Sequence, residues 1–173
     1  MYLNGSNFRD AMKIIVTIPA FNEEKSIASV IKNIRKVMGR GKYEYRILVV
    51  DDGSTDKTPE IAKKMGTIVY SHPKNYGLAE TFKTEIKKSL EMGADVIVHI
   101  DADNQYQPVE IPKLIKEINN GYDLVLGSRF KGTIESMPVI KRLGNTAFSK
   151  VVSNISGIKI SDAQTGFRAF TRE

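Results

Sequence analysis

Three short polar clusters in this 173-residue chain hold residues that a core does not require. They are Pro19-Ala20-Phe21-Asn22-Glu23, Asp51-Asp52-Gly53-Ser54-Thr55-Asp56 and Asp101-Ala102-Asp103-Asn104-Gln105. Asp, Asn, Gly and Ser also build turns and caps, so any one cluster alone reads equally well as a turn. Gathered in one cleft, their carboxylates would repel one another unless a cation or hydrogen-bond donors offset the charge. Asp101 and Asp103 alternate, so two carboxylates leaving a strand can approach one divalent cation, with Gln105 as a further oxygen ligand. Such an oxygen set suits Mg2+ or Mn2+, and magnesium typically keeps waters and takes phosphate oxygens as further ligands. With no cysteine and only His72 and His99, the chain excludes disulfides, thiolate zinc sites, a cysteine nucleophile and a His-rich metal centre. Asp-x-Asp alone is a common pattern, and the phosphate-loop and dinucleotide glycine fingerprints are absent. Gly39-Arg40-Gly41 reads as a helix stop.

The elements that would carry these clusters alternate along the chain. Strands are expected at Lys13–Pro19, Tyr45–Val50, Ile68–Tyr70, Asp95–Ile100 and Asp123–Leu126, the second of them continuously apolar as when both sheet faces are covered. Between them, apolar residues recur at helical spacing: Ile27, Val30, Ile31, Ile34, Val37 and Met38; then Phe82, Ile86 and Leu90; then Ile111, Leu114, Ile115 and Ile118. A short helix with Pro59 in its first turn is expected after Thr55 or Asp56. This alternation predicts an α/β fold, a Rossmann-like, mostly parallel sheet flanked by helices. In such a sheet ligands bind beyond the carboxyl ends of the strands, which is where the three clusters fall. From about Lys131 the pattern loosens, then resumes in a helix bearing Ile140, Leu143, Phe148, Val151, Val152 and Ile155. That C-terminal helix/strand element is expected to lie over the sheet as an appendage rather than a second domain. His99, on a buried-type strand, reads as a packed core residue.

Composition is that of one globular domain: 41% hydrophobic and 27% charged residues. The 26 basic and 20 acidic residues leave a net charge of +6, which favours phosphate-bearing partners. A nucleic acid is not expected, since acidic residues crowd the cleft and no aromatic–basic stripe is present. No apolar run reaches the roughly 18–20 residues that span a membrane, and the first residues lack a signal peptide's apolar core. The chain is expected to be a single catalytic domain with residues 1–12 as a lead-in. Its polar end at Phe170–Glu173 suggests a longer protein.

Taken in order, IPAFNEE, VVDDGSTD, KNYGLAE, HIDADNQ, GSRF and SDAQTGFRAF resemble the family 2 glycosyltransferases of GT-A fold. The likeness runs from about Lys13 to Phe170 and is greatest to the dolichol-phosphate mannose synthase and polyprenyl-phosphate hexosyltransferase group. It implies inverting transfer of a hexose from a nucleotide diphosphate sugar, GDP- or UDP-linked, to a polyprenyl phosphate with Mg2+ or Mn2+. It also implies a nucleotide pocket from Pro19, Ala20, Asn22, Glu23 and Asp52, lined by Gly77 and Leu78, with Asp101, Asp103 and Gln105 on metal and diphosphate. Asp162 holds the family position of a base, which a sugar-hydroxyl acceptor needs and an ionised phosphate does not. Arg129 follows the fifth strand and would clamp an acceptor phosphate by bidentate hydrogen bonds, with Arg142 and Arg168 as further candidates. The resemblance places such an enzyme in the cytoplasm, at the cytoplasmic face of the membrane in the full-length protein. The alternatives are a saccharide acceptor, a non-catalytic nucleotide-sugar-binding module, or a haloacid-dehalogenase-like phosphatase using the Asp-x-Asp pair. The phosphatase is disfavoured because the pattern comes late in the chain and lacks a following Thr.

Overall fold

A computed structural model describes residues 12–41, 43–128, 139–157, 162 and 165–172, the side chains of 139–145 and 156 excepted. Strands β1 (Lys13–Ala20), β2 (Glu44–Asp51), β3 (Ile68–Ser71), β4 (Val96–His99), β5 (Leu124–Leu126) and β6 (Arg168–Thr171) form one sheet in the order β3-β2-β1-β4-β6-β5. The first four are parallel neighbours, and β6 runs antiparallel to both β4 and β5. Helices α1 (Ile27–Met38), α2 (Thr58–Lys64), α3 (Leu78–Glu91), α4 (Ile111–Asn119) and α5 (Val139–Ser156) connect or follow the strands, with a single 3-10 turn at Pro108–Glu110.

The strand and helix positions follow the apolar runs to within a residue or two. On one face of the sheet, Ile14, Val16 and Ile18 of β1 and Val96 and Val98 of β4 pack with Ile27, Ile31 and Ile34 of α1 and Ile111 and Ile115 of α4. Each such side chain removed from water contributes roughly 1.5–3 kcal/mol, so this face supplies most of the hydrophobic stabilisation. The opposite face is thinner: Ile15, Leu48, Val50, Ala94 and Ile97 form its buried cluster, flanked by Met92 and Phe170.

Three features depart from the sequence reading. The stripe expected on α3 was Phe82, Ile86 and Leu90, yet its buried row is Thr81, Glu85 and Ser89. Leu90 is 43% exposed. The helix is turned so that a carboxylate faces the sheet, because Glu85 has a partner there. The C-terminal strand is not laid over the sheet; β6 is inserted between β4 and β5, pairing His99 with Arg168 on one side and Leu126 with Arg168 on the other. A four-residue strand carries too short an alternation to be read from sequence. On α5, Phe148, Val151 and Ile155 are exposed where packing over the sheet was expected.

The register fixes where the polar clusters go. Ala20 pairs with Asp51 and Thr17 with His99, so β1, β2 and β4 end at one edge of the sheet. Because β6 is antiparallel, the Thr165–Phe167 segment that leads into it arrives at that same edge. Among the described residues, no helix is long and apolar enough to cross a membrane.

The turn after β2 is equally constrained. Gly53 has φ +73°, and a Cβ there would lie 2.7 Å from Lys74 Cα and 2.8 Å from Asn75 N. Gly53→Ala is therefore expected to destabilise the fold by about 2 kcal/mol or more, combining left-handed backbone strain with a backbone overlap. In a thermal melt this corresponds to a drop of roughly 4–8 °C. An unchanged midpoint would show that the two loops separate freely.

Candidate active site

The ends of β1, β2 and β4 and the start of α3 border a cavity of about 340 Å³, within the range of small-molecule clefts. Of the site residues expected from sequence, Pro19, Ala20, Glu23, Asp52, Gly77, Leu78, Asp101 and Asp103 line it; Phe21, Asn75, Thr81 and Ala102, for which no site role was expected, line it too. Asn22, Gln105, Asp162 and Arg168 are not among the lining residues. Arg129 and the side chain of Arg142 lie outside the described residues.

Asn22 stitches two loops together. In the left-handed region (φ 57°), where Asn is better tolerated than most residues, it accepts from Thr55 N at 2.9 Å through Oδ1 and donates its own N–H to Ser54 Oγ. Glu23 N donates to Thr58 Oγ1 at 2.7 Å, while the Glu23 carboxylate accepts from Ser26 Oγ at the entry to α1. The first two polar clusters thus hold each other, and only part of each faces the cavity.

Asp52 is 4% exposed. Its Oδ1 accepts from His72 Nδ1 at 2.7 Å and Tyr76 N at 3.0 Å, and its Oδ2 accepts from Gly77 N at 2.8 Å. Burial disfavours the charged carboxylate, but the bonds from His72, Tyr76 and Gly77 more than offset it, holding Asp52 below the usual carboxylate range. The His72 ring donates from Nδ1, leaving Nε2 3.0 Å from Thr84 Oγ1. Asp52 therefore pins the rim formed by residues 76–77 and the start of α3.

The third cluster is held from behind and from the side. Asp103 Oδ1 accepts from Gln105 N at 3.0 Å, and Asn104, at φ 62°, accepts from Ser29 Oγ at 3.0 Å. Asp101 has its Oδ1 3.6 Å from His99 Nε2, and its side chain keeps 32% of its surface exposed. Gly166 closes on the other side: a Cβ there would overlap the Asp101 carboxylate. Gly166 is placed by its N–H to Tyr106 Oη at 2.9 Å, and Tyr106 stacks on Phe167. Sequence reasoning missed these supports. The TGF segment carries only a family likeness in sequence, and nothing in its composition says which strand it abuts.

His99 is a core residue, as expected, but an ionic one. Its Nδ1 lies 2.9 Å from Glu85 Oε2, so a carboxylate faces each ring nitrogen. Burial opposes protonation, yet the ion pair with Asp101 and the hydrogen bond with Glu85 outweigh it and raise the ring to about 9. Arg168, proposed for an acceptor phosphate, has its guanidinium carbon 5.0 Å from the Phe82 ring centroid, and its Nε is buried without a hydrogen-bond partner. Asp162 is 1% exposed.

Among the described residues, no group of three or more His, Cys, Asp or Glu could by itself enclose a metal ion. Asp101 and Asp103 at the cavity wall offer two hard-oxygen donors, a set that fits Mg2+ or Mn2+ when phosphate and water complete the shell.

The family model described as Glycosyl transferase family 2 matches residues 15–173. An uncharacterized protein of Methanocaldococcus jannaschii is 42% identical over 164 residues, covering 93% of this chain and 65% of that protein. A dolichyl-phosphate hexose transferase of Haloferax volcanii is 37% identical over 161 residues, covering 92% of this chain and 67% of that one. Among solved structures, glucosyl-3-phosphoglycerate synthase of Mycobacterium tuberculosis in complex with Mn2+ and UDP-glucose superposes with a TM-score of 0.70 at 25% identity, covering 93% of this chain and 56% of that one. The chain thus spans about two thirds of the length of these curated relatives.

Because the folded ring of His99 binds its proton more tightly than an unfolded histidine, near 6.5, the linked stability is fully present below about pH 6.5. It is lost as pH rises through about 9. Without divalent cations, denaturant titrations from pH 6 to 10 are expected to show a decline on the order of 1–3 kcal/mol that is absent in His99→Gln. Parallel profiles for the two proteins would mean that His99 is neutral in the fold.

Proposed function

The chain belongs to glycosyl transferase family 2, and on that premise we propose that it transfers a hexose from a nucleotide diphosphate sugar to a polyprenyl phosphate with inversion. The observation that carries this reading is the convergence of Asp52, Asp101 and Asp103, from two parallel strand ends, on one cavity of about 340 Å³. The dolichyl-phosphate hexose transferase and the structure holding Mn2+ and UDP-glucose support it from the side of the relatives.

In the proposed reaction the bond from the anomeric carbon to the diphosphate oxygen breaks as an acceptor oxygen bonds that carbon from the opposite face. Phe21 and Leu78, 44% and 67% exposed at the cavity, offer apolar surface to the base. Asp52 keeps the opposing rim fixed. Asp101 and Asp103 would hold a divalent cation, which offsets the negative charge growing on the departing diphosphate. Asp101, clamped between His99 and Gly166, pays little ordering entropy when the donor arrives.

The acceptor assignment draws on Asp162. A general base must reach the proton that it removes, whereas Asp162 is 1% exposed and is not a lining residue of the cavity. An ionised phosphate needs no base, so a buried Asp162 fits a phosphate acceptor better than a sugar hydroxyl. Arg129, just past β5, is then the proposed clamp for that phosphate. Arg168 is better assigned to packing against Phe82. A lipid acceptor would bring the full-length protein to a membrane surface, at its cytoplasmic face.

Two outcomes are expected. Asp103→Asn should weaken Mn2+-dependent binding of the nucleotide by about tenfold or more while the melting midpoint stays within a few degrees. Calorimetry with UDP and GDP, with and without Mn2+, measures this, and unchanged metal dependence would remove Asp103 from the ligand set. Arg129→Ala in the full-length protein should cut transfer to a prenyl phosphate by at least about tenfold with donor affinity preserved, since a charge-assisted bond is worth roughly 1.5–3 kcal/mol. Undiminished lipid transfer, together with loss of transfer to a sugar hydroxyl in Asp162→Asn, would replace the phosphate acceptor with a saccharide.

A further inference from the structure

Beneath the cavity, α3 meets the sheet through polar groups. Thr17, His99 and Arg168 form one row across β1, β4 and β6, each directly paired with the next. Glu85 of α3 faces this row fully buried, with Oε2 2.9 Å from His99 Nδ1. Its second oxygen, Oε1, and Thr17 Oγ1 are buried without a hydrogen-bond partner. Such an arrangement is poor value for stability: exchanging a buried ion pair for apolar side chains of similar size is often neutral or stabilising. Packing therefore does not account for Glu85.

The geometry does. From Glu85 the contacts run to His99, and from His99 Nε2 to Asp101 Oδ1 at 3.6 Å. Gly166 lies against the same carboxylate where a Cβ would overlap it. Phe82, from the same helix as Glu85, meets the His99 ring in a T-shaped contact with centroids 5.4 Å apart. The imidazole is thus fixed in plane by Glu85 and in tilt by Phe82, and Asp101 is held between the imidazole and a glycine backbone.

We propose that Glu85 and His99 are positioning residues that set the orientation of the Asp101 carboxylate toward the cation and diphosphate of the donor. This inference rests on the donor-site reading given above. Neither side chain touches the substrate; Glu85 acts through His99, and His99 through Asp101. It also explains why a helix that could have buried Phe82, Ile86 and Leu90 presents a carboxylate to the sheet.

The test is the affinity of the chain for Mn2+ in the presence of UDP, read from the electron paramagnetic resonance signal of free Mn2+, alongside thermal melts. Glu85→Met/His99→Leu fills the same space with apolar atoms. It is expected to melt no lower than the unaltered protein yet to bind Mn2+ about tenfold or more weakly, the usual scale for groups that orient metal ligands. Glu85→Gln, whose amide oxygen still accepts from Nδ1, is expected to stay within about threefold of the unaltered protein. Should the double variant not fold, His99→Leu alone carries the comparison, with the same loss expected. Unaltered Mn2+ affinity in the variant lacking His99 overturns the inference, as does a loss in Glu85→Gln equal to that variant's. If the unaltered protein itself binds no Mn2+ with UDP or GDP, the donor-site reading fails and this inference with it.

Discussion

Fixing carboxylates side by side at the end of a sheet is the constraint around which this molecule is organised. Parallel pairing of β1 with β2 and β4 makes the convergence unavoidable, because Asp51 ends, and Asp52, Asp101 and Asp103 follow, strands that finish at one edge. Each carboxylate is then met by groups near it in sequence or brought to it by the fold. Asp52 takes donors from His72, Tyr76 and Gly77. Asp51 accepts from Ser54 N, and Asp101 meets His99 and the backbone at Gly166. The loops are ordered by these bonds, so the cavity's shape and its charge have the same cause.

The same constraint explains the asymmetry of the two sheet faces. One is an ordinary aliphatic core between the sheet and helices α1 and α4. On the other, α3 gives up apolar contact to bring Glu85 against His99, and buried polar atoms of Thr17, Ser89 and Glu85 go without partners. A domain stabilised by the first face tolerates that deficit on the second. Function here draws on stability supplied elsewhere in the fold.

Much of this was legible from sequence, and what was not has identifiable reasons. Strands β1 to β5 and helix α1 are written in apolar runs and spacings that local physics reads directly. The polar clusters fall at strand ends, and eight of the residues named for the site line the cavity. Asn22, expected as a pocket residue, is of a type that fits both a ligand contact and a left-handed turn, and its side chain is bonded to the neighbouring loop at Thr55. Three misses stem from one gap: β6, the role of Gly166 and the inward face of α3 all depend on which segments meet across the sheet. Antiparallel insertion of a four-residue strand leaves no periodic trace, and an amphipathic pattern with a buried Glu looks in sequence like a solvated face.

The chain is a member of glycosyl transferase family 2, and its relatives differ in the phosphate-bearing molecule that their names carry: a dolichyl phosphate in one case, a phosphoglycerate in another. The proposed reaction begins at the donor site, so the central claim stands or falls there. The most direct measurement is a crystal structure of this chain with Mn2+ and UDP, with the cation located by its anomalous signal. The account expects the cation within bonding distance of Asp103 or Asp101, with the uracil in the cavity bordered by Pro19, Phe21 and Leu78. A nucleotide bound elsewhere, or a cation that ignores both carboxylates, would contradict it.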